Sequence, residues 1–539
     1  AAYAIAIESG RVMTYADLAS SCRAVTAMLA ARGSRPGDHV SLVMPNGLGT
    51  LAMLLGALHG GRCVNPVNLL AQPEQMRYVL EHADAGVVLV SPDWEERVRN
   101  LLTSIDRRVE VVVVDPQLGD LSLAGGNLSS QFGTRSEEAG VASPPPDSLG
   151  LLMYTSGTTG RPKGVMLTQS NLAASARAIT VEHELTERDR VLAVLPLYHI
   201  NAFAVTMLAP LAHGGSLAVP QRFSATAFWD QATSHGCTWI NLVPTMISYL
   251  LEGETPERDR LRHIRFCRSA SAALPPEHHR AFEQKFGIGI VETMGLTETA
   301  APSFSNPMAP GQRRIGSVGR PSGCEARVAN ADGVTLADGQ TGEILLRGPQ
   351  VMKGYYKDED ATRGAFLPEG WLRSGDLGHR DAAGYFFITG RIKELIIKGG
   401  ENIAPREIDE ALLRHPAVLD AAAVGMPDKH YGQEILACVV LREGATCTEA
   451  ALRDFCIGLL GRFKTPRIIR FAADLPRGPS GKVQRLRLLD LLPRALPDDQ
   501  SPGSGDRSPA PPPAEAVQAL APAPGSSGPG AQPPPPGAA

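Results

Sequence analysis

The segment YTSGTTGRPKG, residues 154–164, restricts the fold and the chemistry of the chain more than any other stretch. It follows the apolar run LGLLM, residues 149–153, which is typical of a buried strand. Glycine backbones can approach phosphate oxygens closely, hydroxyls add donors, and a lysine adds charge. The segment therefore predicts a phosphate-binding loop, although it does not match the Walker A pattern GxxxxGK(S/T); a surface loop of turn residues is the alternative. The candidate phosphate ligands are Thr155, Ser156, Gly157, Thr158, Thr159, Gly160 and Lys163.

Short β-branched runs bounded by turn residues recur on both sides of this segment. In the first half they alternate with stretches of helical periodicity, which predicts an α/β architecture with buried parallel strands. The strands predicted there are residues 2–8, 39–44, 86–91, 109–115, 149–154, 191–195, 216–219, 238–243 and 264–267. From residue 318, Gly-rich turns separate strands that suit an antiparallel sheet, at 325–328, 343–347 and 384–388. A mixed segment follows, with strands at 418–425 and 434–442 and helices at 405–414 and 448–460.

Six further segments combine polar residues with small or turn residues. They are PLYH with His199, SASAAL with Ala270 and Ala272, MGLTET with Met294, Gly295, Thr297 and Glu298, GWLRSGDLG with Asp376, GRIKELIIKGG with Arg391, Lys393, Gly399 and Gly400, and PRGPSGKVQR with Lys482. Five of them also have an ordinary structural explanation. These are a structural histidine, a helix N-cap at Thr297, a turn aspartate, a hairpin turn at the two glycines, and a solvated lysine beside Arg477, Arg485 and Arg487.

In this order, the seven segments resemble the motifs of the adenylate-forming superfamily, which includes acyl-CoA synthetases and the adenylation domains of peptide synthetases. The resemblance covers residues 10–488. It implies an α/β fold with a large N-terminal domain, residues 1–390, made of doubly wound α/β subdomains and a β-barrel-like subdomain. A hinge would lead to a small, mobile α+β C-terminal domain, residues 391–490. Residues 491–539, rich in Pro, Ala and Gly, would form a disordered tail.

The resemblance also implies roles for the motif residues. Lys482 would bridge the substrate carboxylate and the α-phosphate of ATP, with Thr297 on that phosphate and Glu298 as the Mg²⁺ ligand. Asp376 would accept the ribose hydroxyls. Arg391 would reach the ribose or phosphate, Ala272, Met294 and Gly295 would line the nucleotide pocket, and His199 would be an aromatic gate. Lys393 would be the hinge, and Gly399 and Gly400 would line the pantetheine channel. The sequence departs from the family pattern at Ala270, Ala273 and Met294, where Gly, Pro and an aromatic residue are usual.

The implied reaction has two steps. A carboxylate attacks the α-phosphate of MgATP, which gives an acyl-adenylate and pyrophosphate. The small domain then rotates, Lys482 withdraws, and the thiol of coenzyme A attacks the activated carbonyl. The implied cofactors and substrates are ATP, Mg²⁺, coenzyme A and a small-molecule carboxylic acid.

Composition excludes several other classes of protein. The 539 residues carry a net charge of -4, which argues against a nucleic-acid binder that relies on general basicity. The eight cysteines form no CxxC pair, so the sequence signals no zinc or redox site, and a cytoplasmic setting is expected. No apolar run reaches the 18 residues of a membrane span.

The expected assembly is a separate question, for which a homodimer is one candidate.

Two other functions stay open at this point. One is a stand-alone enzyme that loads an acyl group onto the phosphopantetheine of a carrier protein. The other is a catalytically silent member whose tail, with twelve prolines after Ser501, binds partners. The predicted acyl-pocket positions are mostly apolar and show no evident Arg or Lys for a second carboxylate, which favours a small or medium aliphatic acid. Those positions are His199, Asn201, Phe203, Val243, Met246, Ala270, Met294 and Gly295.

Overall fold

The computed structural model describes residues 1–117, 143–155, 161–478 and 482–491, together with the backbone of the short strands Ser122–Leu123 and Gly126–Asn127. The predicted loop at 119–146 lies mostly outside the described residues, and the predicted tail lies almost wholly outside them. Within the described ranges, no helix has both the length and the apolar character needed to cross a bilayer.

Two large sheets form the first part of the chain, as the α/β prediction requires. One has nine strands in the spatial order Arg320–Pro321, Phe304–Ser305, Ile290–Met294, Phe266–Ser269, Trp239–Leu242, Arg190–Leu192, Ser216–Val219, Ala2–Ala6 and Val12–Thr14. The other has seven strands in the order Gly354–Tyr355, Lys163–Thr168, Leu149–Thr155, Cys63–Pro66, His39–Val43, Val87–Val90 and Glu110–Val113. Their central strands are parallel and buried on both faces, which explains why they read as continuous apolar runs such as VVLV.

Helices connect and cover these sheets. They are Tyr15–Ala31, Leu48–His59, Pro73–His82, Pro92–Leu102, Gln169–Glu182, Ile200–Ala202, Ala209–His213, Phe228–Ser234, Pro244–Glu252, Arg258–Leu261, Pro276–Phe286 and Glu359–Ala365, with a π-helical turn at Phe203–Leu208 and 3₁₀ turns at Thr297–Thr299, Pro310–Gln312 and Pro368–Gly370. Thr14 and Thr168 each close a capping box, which fixes where two of the long helices begin. Leu48–His59 is buried over nearly its whole length, and a Cβ at Gly56 would lie 2.6 Å from Val25 Cβ. That close approach ties two helices of the core together.

A five-stranded antiparallel sheet follows, where Gly-rich turns predicted one. It consists of Glu325–Ala329, Gly342–Arg347, Trp371–Arg380, Phe366–Leu367 and Phe386–Arg391. The structure places two predicted strands of the first half differently from the sequence. The strand expected at 191–195 ends at Leu192, and the one expected at 264–267 begins at Phe266 and ends at Ser269. The second shift matters because it puts Arg268 inside a buried strand.

The segment after Arg391 has its own small sheet and its own apolar core. Its strands are Glu401–Ile403, Ile396–Lys398, Gly432–Leu441, Val418–Asp428 and Ile468–Phe471, its helices are Pro405–Leu413 and Glu449–Lys464, and its 3₁₀ turns are Ile392–Glu394 and Arg485–Leu491. Ile396, Ile408, Val439 and Leu452 are among its fully buried side chains. Arg442 of this segment forms an ion pair with Glu252 at 2.6 Å, which connects it to the larger part.

Candidate active site

The predicted phosphate loop begins where the structure has the end of a strand. Thr155 is the last residue of Leu149–Thr155, and it pairs across an antiparallel ladder with Lys163, the first residue of the next strand. The residues between them in the motif, 156–160, lie outside the described residues. The roles expected of Ser156, Gly157, Thr158, Thr159 and Gly160 therefore stay predictions. The hairpin nevertheless brings Thr155 and Lys163 to one end of the seven-stranded sheet.

Tyr355 connects Lys163 to the predicted magnesium ligand Glu298. The ammonium group of Lys163 lies 4.8 Å from the centre of the Tyr355 ring. The Tyr355 hydroxyl donates a hydrogen bond to Glu298 Oε1 at 3.0 Å. Burial and the Glu298 carboxylate raise the pKa of Tyr355, so the phenol stays protonated and keeps donating. The Glu298 carboxylate is therefore held in place and keeps its second oxygen for another partner.

The sequence analysis missed Tyr355. The residue lies on the two-residue strand Gly354–Tyr355, which pairs with Lys163–Thr168 far away in the chain. The local string GYY contains no signal for such a pairing. The contact between Tyr355 and Glu298 joins segments that are remote in sequence, and it depends on the register of this strand pair.

The segment around Thr297 and Glu298 is a single 3₁₀ turn, Thr297–Thr299, whose N-cap position is Leu296. Thr297 is therefore not the helix cap that was one alternative for this motif. Gly295, just before the turn, packs so closely that a Cβ there would lie 2.8 Å from the Cα atoms of Ala301 and Pro302. Met294 ends the adjoining strand and is partly buried against the main core. Side-chain size is thus tightly limited at this part of the predicted nucleotide pocket.

Asp376 and Arg391 are cross-strand partners in the five-stranded sheet. Arg391 donates from Nε to Asp376 Oδ1 at 2.6 Å, and the carboxylate is 4% exposed. The Asp376 carboxylate is the main cause of the raised pKa of Arg391. An ionised, acceptor-only carboxylate is the form that could accept two ribose hydroxyls.

Lys482 lies within electrostatic range of this pair and of Glu298. Surrounding protein and the Arg391 guanidinium lower the pKa of Lys482, while Asp376, Glu394 and Glu298 act in the opposite direction. These groups come from three separate motifs, so the fold brings the predicted catalytic lysine to the predicted nucleotide ligands. The side chain of Lys482 still reaches solvent.

Arg485 anchors the segment that carries Lys482. Its Nη2 lies 2.5 Å from Asp409 Oδ2 and its Nε 3.2 Å from Glu394 Oε2, and it also donates to the Ala423 carbonyl at 2.8 Å. The alternative of a solvated cluster of cations around Lys482 does not hold for Arg485, which is 18% exposed. Arg477 is also paired, with Asp420, whereas Arg487 is 64% exposed and 4.0 Å from Asp490.

The predicted hinge and channel residues lie on the surface of the C-terminal segment. Lys393 is exposed in the 3₁₀ turn Ile392–Glu394. Gly399 and Gly400 form the two-residue turn between Ile396–Lys398 and Glu401–Ile403, with φ values of +56° and +85°. Two successive positive φ angles explain why both positions are glycine. Gly399 and Gly400 therefore form the hairpin turn that was the structural alternative. Their contact with pantetheine stays a prediction.

The predicted acyl-pocket residues come from neighbouring elements of the nine-stranded sheet. His199 is the N-cap of Ile200–Ala202 and packs edge-on against Tyr198. Asn201 Nδ2 donates to Ser271 Oγ at 3.1 Å, which joins the His199 segment to the SASAAL loop. Phe203, Val243 and Ala270 are buried, and Met246 is half-buried. Ala272 is exposed on the loop, at the mouth of this region.

Arg268 is a second residue that the sequence analysis missed. It is 1% exposed in the strand Phe266–Ser269, and its Nη1 donates to Asn201 Oδ1 at 2.6 Å and to Asn241 Oδ1 at 2.8 Å. The signal was Arg268 itself, a charged residue that directly precedes the SASAAL segment. The acyl region therefore contains a cation that the predicted apolar set did not include.

Comparison with known proteins agrees with this geometry. Residues 1–356 match the model of the AMP-binding enzyme family, and residues 407–482 match that of the AMP-binding enzyme C-terminal domain. The chain is 57% identical to the sulfoacetate–CoA ligase of Cupriavidus necator, over 90% of this chain and 94% of the relative. It is 36% identical to the oxalate–CoA ligase of Arabidopsis thaliana, over 86% and 90%. The structure of ATP-bound MatB from Rhodopseudomonas palustris superposes with a TM-score of 0.84, at 31% identity, over 91% of this chain and 95% of that one.

The chain therefore belongs to the AMP-binding enzyme family, and the adenylate-forming fold expected from its motifs is confirmed. Within that family it is an enzyme of the acid–thiol ligase class, with ATP, Mg²⁺ and coenzyme A as its cofactors and co-substrates. The donor set fits a magnesium–nucleotide complex, because Glu298 offers a fixed carboxylate oxygen close to Lys163.

Proposed function

We propose that this chain converts a small carboxylic acid into its CoA thioester in two half-reactions at one site, and that sulfoacetate is the first acid to test. The observation that carries the proposal is the convergence of Lys482 with Glu298, Asp376 and Arg391. The choice of sulfoacetate is supported by the relative that shares 57% of its residues with this chain.

In the first half-reaction, a carboxylate oxygen of the acid attacks the α-phosphorus of ATP, and the bond from that phosphorus to the bridging oxygen breaks. Pyrophosphate leaves with the electron pair. Lys482 neutralises the approach of one anion to another, and Thr297 contacts the α-phosphate. Asp376, held in place by the ion pair with Arg391, orients the ribose. Lys163 and the loop at 155–160 hold the departing phosphates. Glu298 would hold a magnesium ion through its carboxylate, and the ion would supply neutralisation of phosphate charge.

In the second half-reaction, the thiol of coenzyme A attacks the acyl carbonyl, the bond to the AMP oxygen breaks, and AMP leaves. We assign residues 1–390 to the nucleotide-binding domain and residues 391–490 to a domain that turns about Lys393. The turn at Gly399 and Gly400 then faces the site, and His199 moves aside for the thiol. This alternation uses one cleft for two reactions.

Transfer to a carrier protein is the other acceptor weighed from the sequence. The relatives compared here are CoA ligases, so they give that alternative no support. We propose a cytoplasmic location, supported by eight free cysteines, all of them in the described part of the chain. We also propose a homodimer, which size-exclusion chromatography with light scattering tests directly.

The proposed reaction is tested by measuring AMP release with ATP, Mg²⁺, coenzyme A and a panel of acids. Sulfoacetate, oxalate, malonate, propionate and butyrate cover dianionic and monoanionic acids of similar size. We expect AMP and a CoA thioester in equal amounts with at least one small acid. Acid-dependent pyrophosphate exchange without any consumption of coenzyme A would refute the CoA ligase activity. Replacing Lys482 with Ala should lower the exchange about 100- to 1,000-fold.

A further inference from the structure

Arg268 is a buried cation without a counter-ion. It lies in the middle of the nine-stranded sheet and is 1% exposed. In the described part of the chain, no carboxylate forms an ion pair with it. Burial alone lowers the pKa of Arg268 to about 9, with no compensating carboxylate. A charge in that position is costly unless something neutralises it.

The hydrogen bonds of Arg268 are incomplete. A guanidinium has five N–H donors. Both of its hydrogen bonds come from Nη1, which donates to the side-chain oxygens of Asn201 and Asn241. Nε is buried, and among the described residues it has no acceptor. The two asparagines orient the guanidinium through Nη1 and leave Nε for a partner that the described residues do not supply.

The position of Arg268 is between the two segments predicted to contact the acid. Asn201, which it touches, is two residues after His199 and also bonds to Ser271 in the SASAAL loop. Asn241 is its register partner on the adjacent strand Trp239–Leu242. Arg268 is therefore one hydrogen-bonded residue, Asn201, away from the two segments where the acyl chain is expected.

We propose that Arg268 binds a second anionic group of the substrate, a sulfonate or carboxylate at the end of the acid opposite the carboxylate that is activated. The inference rests on the proposed function, because it assigns a ligand within the same acyl pocket. A planar fork of donors matches the oxygens of either group. The substrate would supply the charge that the fold omits, and neutral-tailed acids would leave the guanidinium unpaired.

The alternative is that Arg268 is only structural, a cation held by two amide oxygens to pack the sheet. The two roles differ in what they do to substrate choice. A structural residue affects all acids equally through folding. A binding residue changes the ratio between an anionic and a neutral tail of the same shape.

The test compares sulfoacetate with 3,3-dimethylbutyrate, whose tert-butyl group has the shape of a sulfonate without its charge. Acid-dependent AMP release gives kcat/KM for each acid. In Arg268→Met we expect kcat/KM for sulfoacetate to fall about 100- to 1,000-fold, while that for 3,3-dimethylbutyrate is unchanged or rises. Arg268→Lys should keep part of the preference because it keeps the charge. The matched control is Arg62→Met, another buried arginine, which bonds to the carbonyls of Ser34 and Gly60 and should leave the ratio unchanged.

A second variant keeps the arginine. Asn241→Asp puts a carboxylate of nearly the same shape 2.8 Å from Nη1, so it should neutralise Arg268 from within. It also removes the Nδ2 donations from Asn241 to the carbonyl and Oδ1 of Asn201, so some loss of melting temperature is expected. We expect the ratio of kcat/KM for sulfoacetate to that for 3,3-dimethylbutyrate to fall, and this ratio keeps the test decisive if Arg268→Met does not fold. An unchanged ratio in Asn241→Asp, or an equal loss for both acids in Arg268→Met, would overturn the assignment. A wild-type enzyme that makes thioesters of neutral-tailed acids and not of dianionic ones would overturn it together with the choice of sulfoacetate, yet leave the CoA ligase activity standing.

Discussion

The anchor at Arg485 should control adenylation more than thioester formation. Arg485 fixes the Lys482 segment to the hinge turn through Glu394 and to the helix Pro405–Leu413 through Asp409. Arg485→Met removes both ion pairs and the bond to the Ala423 carbonyl. Asp409, 12% exposed, would keep the hydrogen bond from the Ala423 N–H at 2.6 Å but lose its counter-ion. The chain would then contain a nearly buried carboxylate without a cation.

The magnitude follows from these contacts. Breaking one side of a buried ion pair costs about 3–5 kcal/mol, and the retained N–H bond places this site near the lower value, about 3 kcal/mol. Burial already raises the pKa of Asp409, and losing Arg485 raises it further. A folded-state pKa above the unfolded one favours folding at low pH, so the stability lost in the variant should grow as the pH rises above about 4. For catalysis, a loosened Lys482 should lower the rate about 10- to 100-fold, less than removing the lysine itself.

The assay separates the half-reactions. Pyrophosphate exchange reports adenylation, and CoA-dependent release of AMP from a pre-formed acyl-adenylate reports the second step. The double variant Arg485→Met with Asp409→Asn removes the uncompensated charge, so it should regain stability without regaining exchange. Arg487→Met is the matched control, since Arg487 is 64% exposed and its nearest carboxylate is 4.0 Å away. Wild-type exchange in Arg485→Met, or equal losses in both half-reactions in the stabilised double variant, would refute the anchoring role.

Three other substitutions test the site and the core. Tyr355→Phe removes the hydrogen bond to Glu298 and should lower kcat/KM for MgATP about 10-fold. The control Tyr356→Phe removes a similar bond to Asp84 outside the site and should leave kcat/KM unchanged. Equal effects of the two variants would contradict the role of Tyr355 in holding Glu298. Gly295→Ala should destabilise the fold by about 1–3 kcal/mol because its Cβ meets backbone at 2.8 Å, whereas Gly311→Ala, with open space, should melt like the wild type. Burial and Arg268 lower the pKa of His183 to about 3, so stability present above pH 6.5 should be lost as the pH falls. At pH 5 this amounts to about 2 kcal/mol, which urea unfolding of His183→Phe should show as a smaller loss between pH 7 and pH 5.

Much of the fold could be predicted from the sequence because local patterns and motif order carry it. Buried runs such as VVLV indicated parallel strands, and Gly-rich turns placed the later antiparallel sheet within a few residues. The differences are at strand ends, because an apolar run does not have to end where the ladder of backbone hydrogen bonds ends. The strand predicted to end at Cys267 continues to Ser269, because its neighbours Asn241 and Leu242 extend the ladder.

The sequence by itself determined the family and the residue types of the nucleotide site, since glycines, hydroxyls, carboxylates and lysines stand in a fixed order along the chain. Only the tertiary structure decided how those groups meet. Tyr355 reaches Glu298 through the register of two strands almost two hundred residues apart, from Lys163–Thr168 to Gly354–Tyr355. Arg485 holds the Lys482 segment in place because its ion pairs with Asp409 and Glu394 form only in the folded chain. Nothing in the local sequence distinguished Arg268, and only the sheet shows that it is buried beside Asn201 and Asn241. Hydrogen bonds and ion pairs depend on distances of a few ångströms, and those distances are set by packing between segments that are remote in sequence.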